Sequence, residues 1–237
     1  MIVIPARLKS SRFPEKMLAD VLGLPLIVRT AKNVSKIDEV VVACDDKKIL
    51  DICQAHQVRA ILTDTNHQSG TDRCAEACRI LKVKNDELVL NIQGDEPFLE
   101  PEVIDKLISV TKKTQFMASL AKEISRDLVQ DPNLVKVITN HQSEAIYFSR
   151  SVIPYNRDEN TAIKYFGHLG VYGFFNETLQ EFCSLKKTSL EEIEKLEQLR
   201  AIYHKKQIKI DVVETKSIGI DTKEDLEQAI LMHTKNN

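Results

Sequence analysis

Arg7, Arg12 and Lys16 share one short stretch with Ser10 and Ser11, in Pro5-Ala6-Arg7-Leu8-Lys9-Ser10-Ser11-Arg12-Phe13-Pro14-Glu15-Lys16, directly after an apolar run that reads as a strand. Arginine forks and a lysine point charge suit phosphate oxygens, and the crevice beyond the carboxyl ends of parallel strands is where α/β sheets usually hold ligands. A solvated basic loop is the plainer alternative for these residues alone. Neither G-x-G-x-x-G nor G-x-x-x-x-G-K-[ST] occurs, which disfavours a dinucleotide fingerprint and a Walker A loop.

Carboxylates follow the same pattern of placement. Asp95, in Gln93-Gly94-Asp95-Glu96-Pro97, leaves the apolar run Leu88 to Ile92 at the same sheet edge, where it suits Mg²⁺ or is an acidic turn before Pro97. Asp221 precedes the last helix, and its spacing alone favours an N-cap. Its pairing with Asp95 raises a two-carboxylate metal site able to stabilise attacking and leaving oxygens at phosphorus. In His67-Gln68-Ser69-Gly70-Thr71-Asp72-Arg73, a helix start offers backbone donors, Thr71 and Arg73 to a nucleotide, or is simply a helix start. Strand alternation over Gly167 to Gly173 puts His168 and Tyr172 on one face with Gly170 between them, either against a ligand or as packed core residues.

These residues need a scaffold, and the sequence supplies alternating β and α patterns. Strands are expected at Met1 to Ala6, Glu39 to Cys44, Val58 to Leu62 and Leu88 to Gln93. Helices are expected at Leu26 to Val34, Lys47 to His56, Thr71 to Leu81 and Glu102 to Thr111. This is the signature of a parallel sheet covered on both faces. After Met117, strand-like runs at Val135 to Thr139, Glu144 to Ser149 and Gly167 to Phe175 suggest an antiparallel portion, with an exposed loop at Asn156 to Lys164. Ser189 and Glu192 form a capping-box pattern for a helix through about Tyr203, and its three-residue apolar step leaves the directions of Glu197 and Gln198 open. Ile208 to Val213 reads as a strand before a helix from about Thr222.

The chain of 237 residues is expected to form one domain, 1–237. With 33 basic and 35 acidic residues the net charge is −2, so nothing overall attracts nucleic acid, and any anion site is local. No stretch approaches a membrane span or a signal peptide, which implies no membrane insertion and a cytoplasmic location. Five cysteines without C-x-x-C spacing argue against a disulfide framework or zinc ribbon. Cys74 and Cys78 are four apart on an expected helix, where packing outweighs a metal pair.

Together the blocks IPARLKSSRFPEKML, HQSGTDR, NIQGDEPFL, DPNLVKV, YFSRSVIPYNR, GHLGVYGF, LEQLR and IDTKEDLE resemble the 3-deoxy-manno-octulosonate (Kdo) cytidylyltransferases, or CMP-Kdo synthetases, over nearly the whole chain. The resemblance implies a nucleotidyltransferase, Rossmann-like α/β three-layer sandwich with an antiparallel sugar-binding and dimerisation portion at about 117–175. It also implies a homodimer, Mg²⁺ dependence, and conversion of CTP and Kdo to CMP-Kdo and pyrophosphate for lipopolysaccharide biosynthesis. By position, Ala6, Arg7, Ser10, Arg12, Lys16, Ser69, Thr71, Arg73 and Gln93 match nucleotide contacts. Gln93, Arg150, His168, Tyr172, Glu197 and Gln198 match the sugar pocket. Asp95 and Asp221 match the metal pair, and Arg7, Lys16, Asp95 and Asp221 match the catalytic set. Glu15 stands where many relatives have Gly, and Phe175 where some have Arg. Alternatives are an amino-substituted Kdo or a nonulosonic acid as substrate, or a non-catalytic nucleotide-binding regulator.

Overall fold

The structure, a computed structural model, describes residues 1–10, 12–158 and 163–234, so Ser11 and the middle of the Asn156 to Lys164 loop lie outside the described residues. Its first half runs β1 (Ile2–Ala6), a 3-10 turn (Lys16–Leu18), a small hairpin of β2 (Asp20–Val21) and β3 (Leu24–Pro25), α1 (Leu26–Val34), β4 (Val40–Cys44), α2 (Lys47–Ala55), β5 (Ala60–Leu62), α3 (Gly70–Ile80), β6 (Leu88–Asn91) and α4 (Pro101–Thr111). The second half contains β7 (Met117–Ile124), β8 (Lys136–Thr139), β9 (Ala145–Ser149), β10 (Tyr165–Phe175), α5 (Asn176–Ser184), α6 (Ser189–Glu194), α7 (Leu199–Tyr203), β11 (Ile208–Val212) and α8 (Lys223–Thr234).

The main sheet has the order β11-β7-β10-β6-β1-β4-β5, with β8 and β9 branching from β10. β1 pairs in parallel with β4 and β6, as do β4 with β5 and β7 with β11. β10 runs antiparallel between β6 and β7. The antiparallel portion is therefore continuous with the parallel sheet. Alternation along β1 divides the core: Ile2, Ile4 and Ala6 join α1, α2 and α4 on one face, while Val3 joins α3 and α5 on the other. Cys74 and Cys78 are fully buried in that second layer, and desolvation pushes both thiols up, as inert core cysteines require.

The strand β7 was not separable in the sequence. Its first five residues are all buried, so the run lacks the alternation that marks a half-exposed strand. The expected helix through Tyr203 is two helices. Thr188, not Ser189, caps the first by accepting from the Glu191 N–H, and Lys195 stops it in the left-handed conformation at φ 55°. The break resets the drifting apolar step, leaving Ile193 78% exposed while Leu196 and Leu199 are buried. In β10, Gly170 and Val171 are extra relative to β7, because Leu169 pairs with Leu120 and Tyr172 with Ser119. Two extra residues preserve side-chain parity, so His168 and Tyr172 remain neighbours, their rings 5.6 Å apart.

At Gly173, β10 packs against α4 with no room for a side chain. A Cβ there would lie 1.9 Å from Thr111 Oγ1, whose hydroxyl already donates to the Leu107 carbonyl at 2.6 Å. Gly173→Ala should therefore destabilise by roughly 1–3 kcal/mol through overpacking and lower the melting temperature by several degrees. Adding Thr111→Ala should recover part of that loss in a thermal melt.

Candidate active site

The carboxyl ends of β1 and β6 open into one cleft, lined by Ala6, Arg7, Ser10, Arg12 and Lys16 on one side and by Ser69, Arg73 and Gln93 on the other, with Asp95 and Asp221. At its base the Lys16 ammonium donates to Asp95 Oδ2 at 2.7 Å and to Asp221 Oδ1 at 3.0 Å. Arg12 donates to Asp221 Oδ2 at 2.8 Å. Burial raises the Asp221 carboxyl, but Lys16 and Arg12 outweigh it and leave the group below its ordinary value.

Asp221 is not the cap of α8. Thr222 is, because its hydroxyl accepts from the Asp225 N–H at 3.1 Å while Asp225 accepts from the Asp221 and Thr222 N–H groups at 3.0 and 2.8 Å, a reciprocal capping box. The Asp221 carboxylate is thus free of any duty to its helix. A single ammonium bridging Asp95 and Asp221 shows that both converge on one cation position, and their hard oxygens fit a divalent ion. No group of three or more His, Cys, Asp or Glu side chains forms a metal cage among the described residues, and Mg²⁺ completed by phosphate and water requires none.

Two residues matched to nucleotide contacts, Arg73 and Thr71, are buried. Arg73 is 4% exposed, donating to Thr63 Oγ1 at 2.6 Å and the Asp64 carbonyl at 3.1 Å, with Asp45 Oδ2 at 3.6 Å. Asp45 Oδ1 in turn accepts from the Leu8 N–H at 2.9 Å, so this unanticipated carboxylate joins the two cleft walls. Its only signal was its position at the end of β4. Thr71 is fully buried and donates to Glu197 Oε1 at 2.6 Å while accepting from Asn91 at 3.0 Å. Glu15 adopts φ 51°, where Gly would escape the Cβ clash, and its carboxylate takes Lys48 at 2.7 Å.

Beside the cleft, Gln93, His168, Tyr172, Glu197 and Gln198 come together because the first half of β10 runs past the end of β6. Gln93 donates to the Gly170 carbonyl at 3.2 Å. The break after α6 turns Glu197 toward Thr71 and Gln198 toward β10. Tyr172 donates to Gln198 Oε1 at 3.2 Å, and Gln198 Nε2 stands 3.4 Å from His168 Nδ1. Ser119 Oγ lies 2.8 Å from His168 Nε2 and within 2.7 Å of the Val171 carbonyl. The hydroxyl proton serves that carbonyl, so His168 Nε2–H donates to Ser119 and Nδ1 accepts from Gln198. Among the described residues Glu197 Oε2 is buried with no hydrogen-bond partner, and burial raises this carboxyl, opposed by the hydroxyls of Thr71 and Ser69.

Arg150 stands apart from this group. Its Nε donates to the Glu194 carbonyl at 2.7 Å and its Nη1 to the Pro132 carbonyl at 2.9 Å, tying the end of α6 to the 131–132 turn. Phe175 pairs with Leu88 at the opposite end of β6, so its departure from the family pattern does not touch the pocket.

A largely parallel sheet with a basic loop, two converging carboxylates and an adjoining hydrogen-bonded pocket at its carboxyl edge defines an α/β nucleotidyltransferase. The profile of the family described as Cytidylyltransferase matches residues 1–210. The chain belongs to the 3-deoxy-manno-octulosonate cytidylyltransferase family. It is 56% identical to such a protein from Helicobacter acinonychis (strain Sheeba), over 97% of this chain and 96% of that one. It is 52% identical to one from Wolinella succinogenes, over 97% of this chain and 98% of that one. A solved structure of CMP:2-keto-3-deoxy-manno-octonic acid synthetase complexed with CTP has a TM-score of 0.92 at 35% identity, covering 100% of this chain and 98% of that one. The 4-diphosphocytidyl-2C-methyl-D-erythritol synthase of Anaerococcus prevotii shares the fold alone, with a TM-score of 0.62 at 18% identity.

Burial pushes His168 down to about 3, so the ring is neutral wherever the protein is assayed. The unfolded chain takes up that proton near the ordinary value of about 6.5. Stability contributed by the neutral ring is therefore complete above that pH and is lost as pH falls toward the folded value, by up to about 1.4 kcal/mol per unit. The His168 ring resonances in an NMR titration should show no step between about pH 5 and 9. A step within that range would contradict the buried, neutral ring.

Proposed function

We propose that this chain transfers the cytidylyl group of CTP to the anomeric hydroxyl of Kdo, releasing pyrophosphate. The convergence of Lys16, Arg12, Asp95 and Asp221 at one point of the cleft carries this reading. The sugar oxygen attacks the α-phosphorus in line, the bond from that phosphorus to the bridging oxygen breaks, and the hydroxyl proton is released. No enzyme nucleophile is needed, so positioning and charge stabilisation supply the catalysis. Arg7, Ser10, Arg12 and Lys16 hold the triphosphate, with Ala6, Ser69 and Gln93 along the walls. Arg73 and Thr71 act from beneath.

Asp95 and Asp221 would hold Mg²⁺, which supplies charge neutralisation at the triphosphate and acidifies the sugar hydroxyl. Gln93, His168, Tyr172, Glu197 and Gln198 form the sugar pocket. Glu197 Oε2, buried without a partner, suits a sugar hydroxyl that donates to it. Arg150 uses one N–H at each of two guanidinium nitrogens on carbonyls, leaving others for the sugar carboxylate.

The product would serve lipopolysaccharide assembly from a cytoplasmic, single-domain homodimer. No helix among the described residues is long and apolar enough to cross a membrane. The edge strand β9, with Ile146 52% exposed, and Tyr155, 84% exposed, support self-association, which light scattering at micromolar concentration tests by returning twice the chain mass.

Pyrophosphate release from CTP and Mg²⁺ should require Kdo in a panel of acidic sugars; turnover with a nonulosonic acid instead would reassign the substrate. Asp221→Asn should lower turnover at least ~100-fold, because several kcal/mol of transition-state stabilisation go with the metal ligand. The fold should survive, since Thr222 remains the cap. Near-normal turnover at saturating Mg²⁺ would refute the metal role. Arg150→Ala should raise KM for the sugar more than for CTP, by about 10-fold or more for a lost charge-assisted bond.

A further inference from the structure

Asp221 reaches the cleft on a segment that has no strand or helix of its own. The chain leaves β11 at the sheet's edge and stays irregular until α8 begins at Lys223. Val213 still donates to the Ala121 carbonyl at 2.9 Å, and Ile220 donates to the Asp95 carbonyl at 2.9 Å. Between those points, two glutamates hold the segment. Glu100 immediately precedes α4, where a side chain would ordinarily cap its own helix, yet it makes no cap bond. Its oxygens reach across to the Thr215 hydroxyl at 2.5 Å and the Lys216 N–H at 2.8 Å.

Glu96 accepts from the Ser217 hydroxyl at 2.6 Å, and Lys122 donates to the Ser217 carbonyl at 3.4 Å. The other Glu96 oxygen lies against Gly219, where an added Cβ would be 3.5 Å away. Glu96 adjoins Asp95 in sequence. The turn that presents one carboxylate thus grips the segment that presents the other, and a slip of the segment would separate them.

We propose that Glu96 and Glu100 are positioning residues that hold the 215–220 segment in register and so set the distance between Asp95 and Asp221, and with it the affinity for the divalent ion. This rests on the reading of Asp95 and Asp221 as the metal pair. It assigns the two glutamates no contact with substrate.

The test uses the full chain saturated with CTP, without sugar, and Mn²⁺ as the probe, bound ion being read by electron paramagnetic resonance at one fixed CTP concentration. Glu96→Ala and Glu100→Ala should each weaken Mn²⁺ about 5- to 30-fold, the range for one or two hydrogen bonds lost. The Mg²⁺ concentration for half-maximal turnover should rise in parallel, while KM for CTP at saturating Mg²⁺ changes less than about twofold. Glu96→Gln, which can still accept from Ser217, should return Mn²⁺ affinity to within about threefold of the wild type. If Glu96→Ala does not fold, Ser217→Ala removes the donor instead and carries the same expectation.

Ala variants that melt earlier but bind Mn²⁺ like the wild type would overturn the proposal and leave the glutamates a purely structural part. Asp221→Asn is the reference. If it loses Mn²⁺ while the Ala variants keep it, only the positioning role falls. If Asp221→Asn binds Mn²⁺ normally, the metal assignment falls and this proposal with it.

Discussion

The Lys16 ammonium lies between two carboxylates that the chain supplies far apart, and the cleft is organised around that shared charge. Side-chain exposure is 8% for Lys16, 24% for Asp95 and 46% for Asp221, so the pairing becomes more solvated from the lysine outward. Removing the lysine would leave two neighbouring anions at the base of the cleft, and removing either carboxylate would leave a nearly buried cation with one partner. Partly shielded pairs of this kind feel charge more strongly than surface pairs. Phe13, within the same basic loop, is buried with Ile220 and Ala229 of the C-terminal region, so packing reinforces what the charges align.

The neighbouring pocket is built on directional hydrogen bonds: each donor from Tyr172 through Gln198 and His168 to Ser119 points the same way. Behind it, Arg200 and Glu191 form a buried ion pair, with side chains 2% and 9% exposed, and the guanidinium stacks 4.9 Å from the Phe182 ring centroid. That pair locks α7 against α6 across the Lys195 break. Gln198 and Glu197 sit just before α7, so their directions follow from it. The charged groups thus gather at the base of the cleft, and the hydrogen-bonded chain lies beside them.

Much of the scaffold was legible because its signals are local. The helices at Leu26, Lys47, Gly70 and Pro101 begin within a residue of where apolar periodicity puts them. The strands β1 and β4 are short runs rich in β-branched residues. β7 was not legible, since a strand buried on both faces has no alternation to read. The break in the helix at Lys195 was equally hidden, because a left-handed lysine carries no compositional mark.

The same division runs through the site. Residue type and position after a strand were enough to place Arg7, Arg12, Lys16 and Asp95 together at one sheet edge, because chemistry and placement there are both written locally. Whether Asp221 capped a helix or faced the cleft was decided only by tertiary structure. Thr222 and Asp225 complete the cap between themselves, and Lys16, more than two hundred residues away in sequence, draws the Asp221 carboxylate inward. The glutamates at positions 96 and 100, Asp45 beneath the loop, and the depth of Arg73 and Thr71 likewise depend on contacts between distant segments. Sequence determines which groups exist and which element ends they occupy; the direction of a side chain is settled by the neighbours that folding brings to it.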